Sequence, residues 1–118
     1  MSAYIQLTTT IDTRAAAMRL ARALVESRLA ACVQIIGPIT SIYRWKGNVE
    51  QAKEHLCIIK TRAALFRKVE AEIKRLHSYE VPEIIALPIS KGSRRYLAWL
   101  ASATSAAPPS RAGRSRRR

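Results

Sequence analysis

Apolar and polar residues alternate from Ala3 to Thr10, with Ile5 and Leu7 on one side and Tyr4, Gln6 and Thr8 on the other, which is the period of a half-buried strand. Asp12 and Thr13 follow as helix-capping chemistry. Beyond them Ala17, Leu20, Ala21, Leu24 and Val25 recur at helical spacing with Arg19, Arg22 and Glu26 opposite, so the pattern predicts an amphipathic helix to about Arg28. Ala31–Ile36 and Ile39–Trp45 are rich in β-branched and aromatic residues around Gly37-Pro38. Proline cannot donate to a ladder, so one long strand broken by a bulge is expected there. Gly47-Asn48 marks a turn and His55–Thr61 the returning strand, together a hairpin longer than the sheet it belongs to. Thr61 is expected to cap a second helix that ends near His77, with Phe66, Val69, Ile73 and Leu76 as its buried stripe and Glu70 four residues before Lys74. Glu83–Ile89 reads as a short apolar strand at a sheet edge, and Ser93 as the cap of a last helix carrying Tyr96, Leu97, Trp99 and Leu100.

The order β-α-β-β-α-β plus a terminal helix is that of the α+β, ferredoxin-like split βαβ sandwich. At 118 residues one domain with its own core is expected. Residues 1–101 form that domain, and the pattern stops at Ser102. From there the chain runs SATSAAPPSRAGRSRRR, without a large apolar side chain, and is expected to be a disordered Arg-rich tail because it cannot offset its ordering entropy. The formal net charge of +13 divides into +5 from the tail arginines and +8 from residues 1–101. Such a balance attracts polyanions non-specifically. No aromatics are interleaved with the tail arginines, so specific nucleic-acid binding is not expected.

Met1–Thr10 has neither a basic lead nor a long apolar run, and no run approaches a membrane span, so a soluble, unexported, cytoplasmic protein is expected. Cys32 and Cys57 each lie in an apolar stretch, which reads as reduced core thiols rather than a disulfide framework. Soft ligands suit copper, and Cys32, Cys57, His55 and His77 are the available set, with no CxxC or HxxxH pair to preorganise a site. Taken alone, His77 reads first as a helix C-terminal residue whose charge or hydrogen bond favours that end. The segment His77–Glu83 (HSYEVPE) gathers His77, Tyr79, Glu80 and Glu83. Its histidine and carboxylates could act as general acid and base. No nucleophile elbow, zincin motif or phosphate-cradling glycine loop accompanies them, so no catalytic residues are assigned and an enzyme is not expected.

Several stretches carry a family likeness: Ala30-Ala31-Cys32-Val33, Thr40–Gly47 (TSIYRWKG), Ile59-Lys60-Thr61, His77–Ile84 (HSYEVPEI) and Tyr96–Leu100 (YLAWL). In this order and at these intervals they resemble the CutA divalent-cation-tolerance family over residues 3–101. The resemblance implies a ferredoxin-like subunit, a tight homotrimer with long hairpins spanning subunits, an architecture similar to PII signalling proteins, and a role linked to tolerance of copper and other divalent metals. It favours Cys32 as the thiol of a metal site, and His77 from the soft-ligand set is grouped with it. It also implies a pocket between subunits in which Trp45, Lys60, Tyr79 and Glu83 would orient a small ionic ligand. From the residues alone, Trp45 and Tyr79 could equally pack at an interface and Lys60 with Glu83 form an ion pair. The alternative is a PII-like regulatory protein acting through another protein. Ser78 stands where the family usually has proline, and the Arg-rich tail lies outside the family pattern.

Overall fold

A computed structural model describes residues 2–106. The elements are β1 (Tyr4–Ile11), α1 (Arg14–Glu26), β2 (Cys32–Trp45), β3 (Asn48–Arg62), α2 (Phe66–Leu76), β4 (Ile85–Pro88) and α3 (Arg94–Ala103). The four strands form one antiparallel sheet in the order β2-β3-β1-β4. Alternation on β1 and β3 decides what each face does. Leu7 pairs with Ile59 and Thr9 with Cys57, and these odd-numbered residues are buried with Leu20 and Leu24 of α1 and Val69 and Ile73 of α2. The even-numbered residues point the other way.

Thr13 caps α1 as expected, its hydroxyl accepting from the Ala16 N–H, and Ser93 caps α3 by accepting from Tyr96. Thr61 does not cap α2. It is the penultimate residue of β3, fully buried, and its hydroxyl donates to the Leu29 carbonyl at 2.7 Å. A short 3-10 turn at Ala63–Leu65 leads into α2, which starts without a side-chain cap.

The hairpin is longer on its return side than the alternation indicated, since β3 begins at Asn48 rather than His55. Trp45 pairs with Asn48 across a two-residue turn of Lys46 and Gly47, both with positive φ, the conformation that matches strand twist and that glycine adopts without strain. The register slips between Ile36 and Ile39, where the bulge was expected. A Cβ on Gly37 would meet the His55 ring at 2.6 Å, so the bulge brings backbone against side chain.

β4 is confined to Ile85–Pro88, paired to β1 at the sheet edge. At the other end the ordered domain passes the expected limit at residue 101. α3 continues to Ala103 and Thr104 is buried, held by Arg62 through its Nε and Nη2 at 2.9 and 2.7 Å. The Arg28 guanidinium faces the carbonyls of Ser102, Ala103 and Ser105, so cations of the body stabilise the negative end of the helix. Residues 107–118 of the expected tail lie outside the described residues.

Candidate functional site

The loop between α2 and β4 is anchored by His77. The Tyr79 N–H donates to Nδ1 at 3.1 Å, so the ring proton is on Nε2, which donates to the Thr10 carbonyl at 2.7 Å. Both nitrogens are engaged, and the ring is a brace between α2 and the end of β1. Its face lies 4.6 Å from the Tyr79 ring, centroid to centroid. The chain after His77 is thereby directed over the sheet face that α1 and α2 leave open. There the Tyr79 hydroxyl donates to Glu54 at 2.7 Å, and the Thr8 hydroxyl donates to Glu83 at 3.3 Å.

These contacts border a cleft of ≈ 640 Å³ between the loop and the hairpin, to which the loop contributes Tyr79, Glu80 and Glu83 and the hairpin Tyr43, Trp45 and Glu54. Its volume is within the usual range of small-molecule sites. Glu54 is only 6% exposed. Burial, and next the bond to the Glu54 carboxylate, raise the pKa of Tyr79 far above the ordinary phenol value, so Tyr79 is a fixed donor.

Three of the four residues expected in a ligand pocket, Trp45, Tyr79 and Glu83, therefore line one cleft. Lys60 does not line it. Its ammonium donates to the Gln34 side chain at 2.8 Å, and its place on β3 is six residues, about 20 Å, from Glu54. Glu54 and Tyr43 were not singled out from sequence. The continuous even-numbered phase 54, 56, 58, 60 along β3 could have identified Glu54, had the strand been extended toward the turn.

Cys32 and His77 are not brought together. Cys32 pairs with Lys60, whereas His77 binds Thr10, which pairs with Leu56; that is four strand residues, about 13 Å, apart. The Cys32 thiol lies 3.8 Å from the Tyr96 hydroxyl. Cys57 is buried and free, its thiol pushed up to about 11 by burial, which disfavours a thiolate ligand there. Nδ1 of His55 is buried without a hydrogen-bonding partner among the described residues. No group of three His, Cys, Asp or Glu close enough to hold an ion occurs among the described residues, so no single-subunit metal site is built from Cys32 and His77. None of their helices is long and apolar enough to cross a membrane.

The sequence profile described as CutA1 divalent ion tolerance protein matches residues 5–103. The divalent-cation tolerance protein CutA of Thermus thermophilus is 50% identical over 91 residues, 77% of this chain and 88% of that protein. Human Protein CutA is 48% identical over 88 residues, 75% of this chain but 49% of its own length. Among solved structures, the divalent cation tolerance protein from Thermus thermophilus superposes with a TM-score of 0.85 at 46% identity, covering 86% of this chain and 99% of that one. CutA1 from Oryza sativa gives 0.86 at 40% identity, covering 90% and 97%. The shared motifs, the sheet with its long hairpin and these matches lead to one conclusion: the chain belongs to the CutA1 divalent ion tolerance family.

Proposed function

We propose that the chain is a cytoplasmic, homotrimeric binding protein of the ferredoxin-like type, serving divalent-cation tolerance through a ligand site at the cleft of Trp45, Tyr79 and Glu83. The observation that carries the reading is the uncovered side of the sheet. Ile36, Ile85 and Leu87 are each about half exposed or more, next to a projecting ribbon that bears Ile42, Tyr43, Trp45 and Val49. A ribbon and an apolar face of this kind are marginal in water unless another chain covers them. Closed symmetry lets each subunit present one such surface and receive another.

In that assembly the cleft lies beside the covered face and becomes an intersubunit site. Lys60 joins it only if a neighbouring subunit supplies it. The Cys32 thiol, partly buried beside Tyr96, is the soft donor we assign to copper, with its further donors coming from another subunit. Weaker Cu(II) binding in Cys32→Ser is expected, and unchanged binding removes that residue. The protein binds rather than catalyses in this reading, because the cleft groups form no nucleophile–base pair.

The ribbon tip also favours a second reading, a PII-like regulator that docks on another protein, since Ile42 is 68% exposed. Size-exclusion chromatography with light scattering on the full chain decides first: a trimer is expected, and a stable monomer at micromolar concentration would refute the assembly. A trimer that survives Ile42→Asp but loses a bound partner would favour the regulator.

A further inference from the structure

The cleft is charged in the opposite sense to the chain that carries it. The formal net charge is +13, yet among the described residues no lysine or arginine lines the cleft, whose charged side chains are Glu54, Glu80 and Glu83. On the helices, Glu26, Glu70 and Glu72 are ion-paired with arginine or lysine. Among the described residues none of the three cleft carboxylates has such a partner. Glu54 is the extreme case: it is nearly fully buried, and a protonated phenol is the donor it has been given. A buried carboxylate is ordinarily compensated by a cation or by several donors. This one borders an open cleft from which a cation could reach it.

The aromatic part of the lining adds a second preference. Tyr43, Trp45 and Tyr79 offer aromatic surface, and aromatic faces attract ammonium and guanidinium groups. The Trp45 ring already engages one, with the Lys46 ammonium 5.6 Å from its centroid. A bare divalent ion is a poor fit. Chelation needs oxygen atoms converging to roughly 2.0–2.6 Å of one point, and no three acidic or imidazole groups of the described residues converge closely enough to hold an ion. Carboxylates dispersed around ≈ 640 Å³ instead match positive charges spaced along an apolar chain.

We propose that the cleft binds an organic polycation of the linear polyamine class, its ammonium groups distributed among Glu54, Glu80 and Glu83 and its methylenes lying against Trp45 and Tyr79. This rests on the cleft being the ligand site, and not on the trimer. The basic chain repels such a ligand at long range, so capture is local to these residues.

Isothermal titration of the full chain with spermidine, with Mg²⁺, tetramethylammonium and ATP as comparators, tests the inference. Spermidine is expected to saturate one site per chain, and the comparators to bind at least about tenfold more weakly. Glu80→Gln and Glu83→Gln are each expected to weaken spermidine by about threefold to tenfold, and Trp45→Phe to retain it better than Trp45→Ala. Light scattering on the same variants separates loss of the site from loss of assembly. ATP or tetramethylammonium binding as well as spermidine, or spermidine affinity unmoved in the double Gln variant, overturns the proposal. A monomer that binds spermidine keeps it and removes the trimer; a trimer that does not bind spermidine removes it alone.

Discussion

The two faces of one sheet follow different rules. Against α1 and α2, Leu7, Cys57 and Ile59 have no exposure at all, while on the other side Ile36, Ile85 and Leu87 remain 49–60% exposed. The strands are the same; the difference is what covers them. On the closed face the helices supply Leu20, Leu24, Val69 and Ile73 as cover, and the chain completes its own core. On the open face, among the described residues, α3 covers one end, where Tyr96 meets Cys32 and Thr104 binds Arg62, and the 77–84 loop braced by His77 covers the other, sheltering Glu54 rather than an apolar cluster. A face that is closed locally around a carboxylate and left apolar elsewhere suits a surface with two tasks, ligand capture and contact with other copies.

The contrast is broken most severely from the closed side. Ile59→Ala is expected to lower stability by about 2–5 kcal/mol, because the removed atoms leave a cavity between sheet and helices; denaturant unfolding measures it. A loss below about 1 kcal/mol would show that the helices do not pack there as described.

Next in size is a pH effect at Cys57. Its folded pKa is raised from 9.0 to about 11 by burial, so the protonated thiol is the native form. The stability this provides is fully present below pH 9.0 and is lost as pH rises through about 11. Two units correspond to about 3 kcal/mol. The decline over that window, measured relative to Cys57→Ala, isolates the thiol from Tyr79; parallel curves for the two proteins would contradict a buried thiol.

A smaller effect sharpens the same side. The Thr9 hydroxyl is buried without a hydrogen-bonding partner among the described residues, so Thr9→Val should raise stability by about 1 kcal/mol. A loss of stability instead would mean that the hydroxyl has a partner such as a buried water.

Most elements were legible because the closed face imposes alternation and helical spacing on the sequence. The rest was hidden where that face does not reach. Asn48–Gln51 (NVEQ) pairs with β2 in a ribbon exposed on both sides, so burial leaves no period to read there, and the start of β3 and the role of Glu54 just beyond it were missed together. Thr61 carries the same signal as a helix cap, and only the tertiary contact with the Leu29 carbonyl makes it a strand residue. The pocket was legible in part: Trp45, Tyr79 and Glu83 meet because a loop and a ribbon converge. Lys60 shares a motif with its neighbours but lies too far along β3. Cys32 and His77 were grouped by ligand chemistry, which carries no distance information.

The open face as an assembly surface is the central claim, and sedimentation equilibrium of the unmodified chain beside an Ile85→Glu, Leu87→Glu double variant tests it most directly. The account predicts about three times the 13.2 kDa chain mass for the unmodified protein. For the variant it predicts a folded or partly folded species of single-chain mass, because two charges cannot be buried against another copy without partners. An unmodified chain at single-chain mass, or a double variant that assembles as tightly as the original, would contradict it.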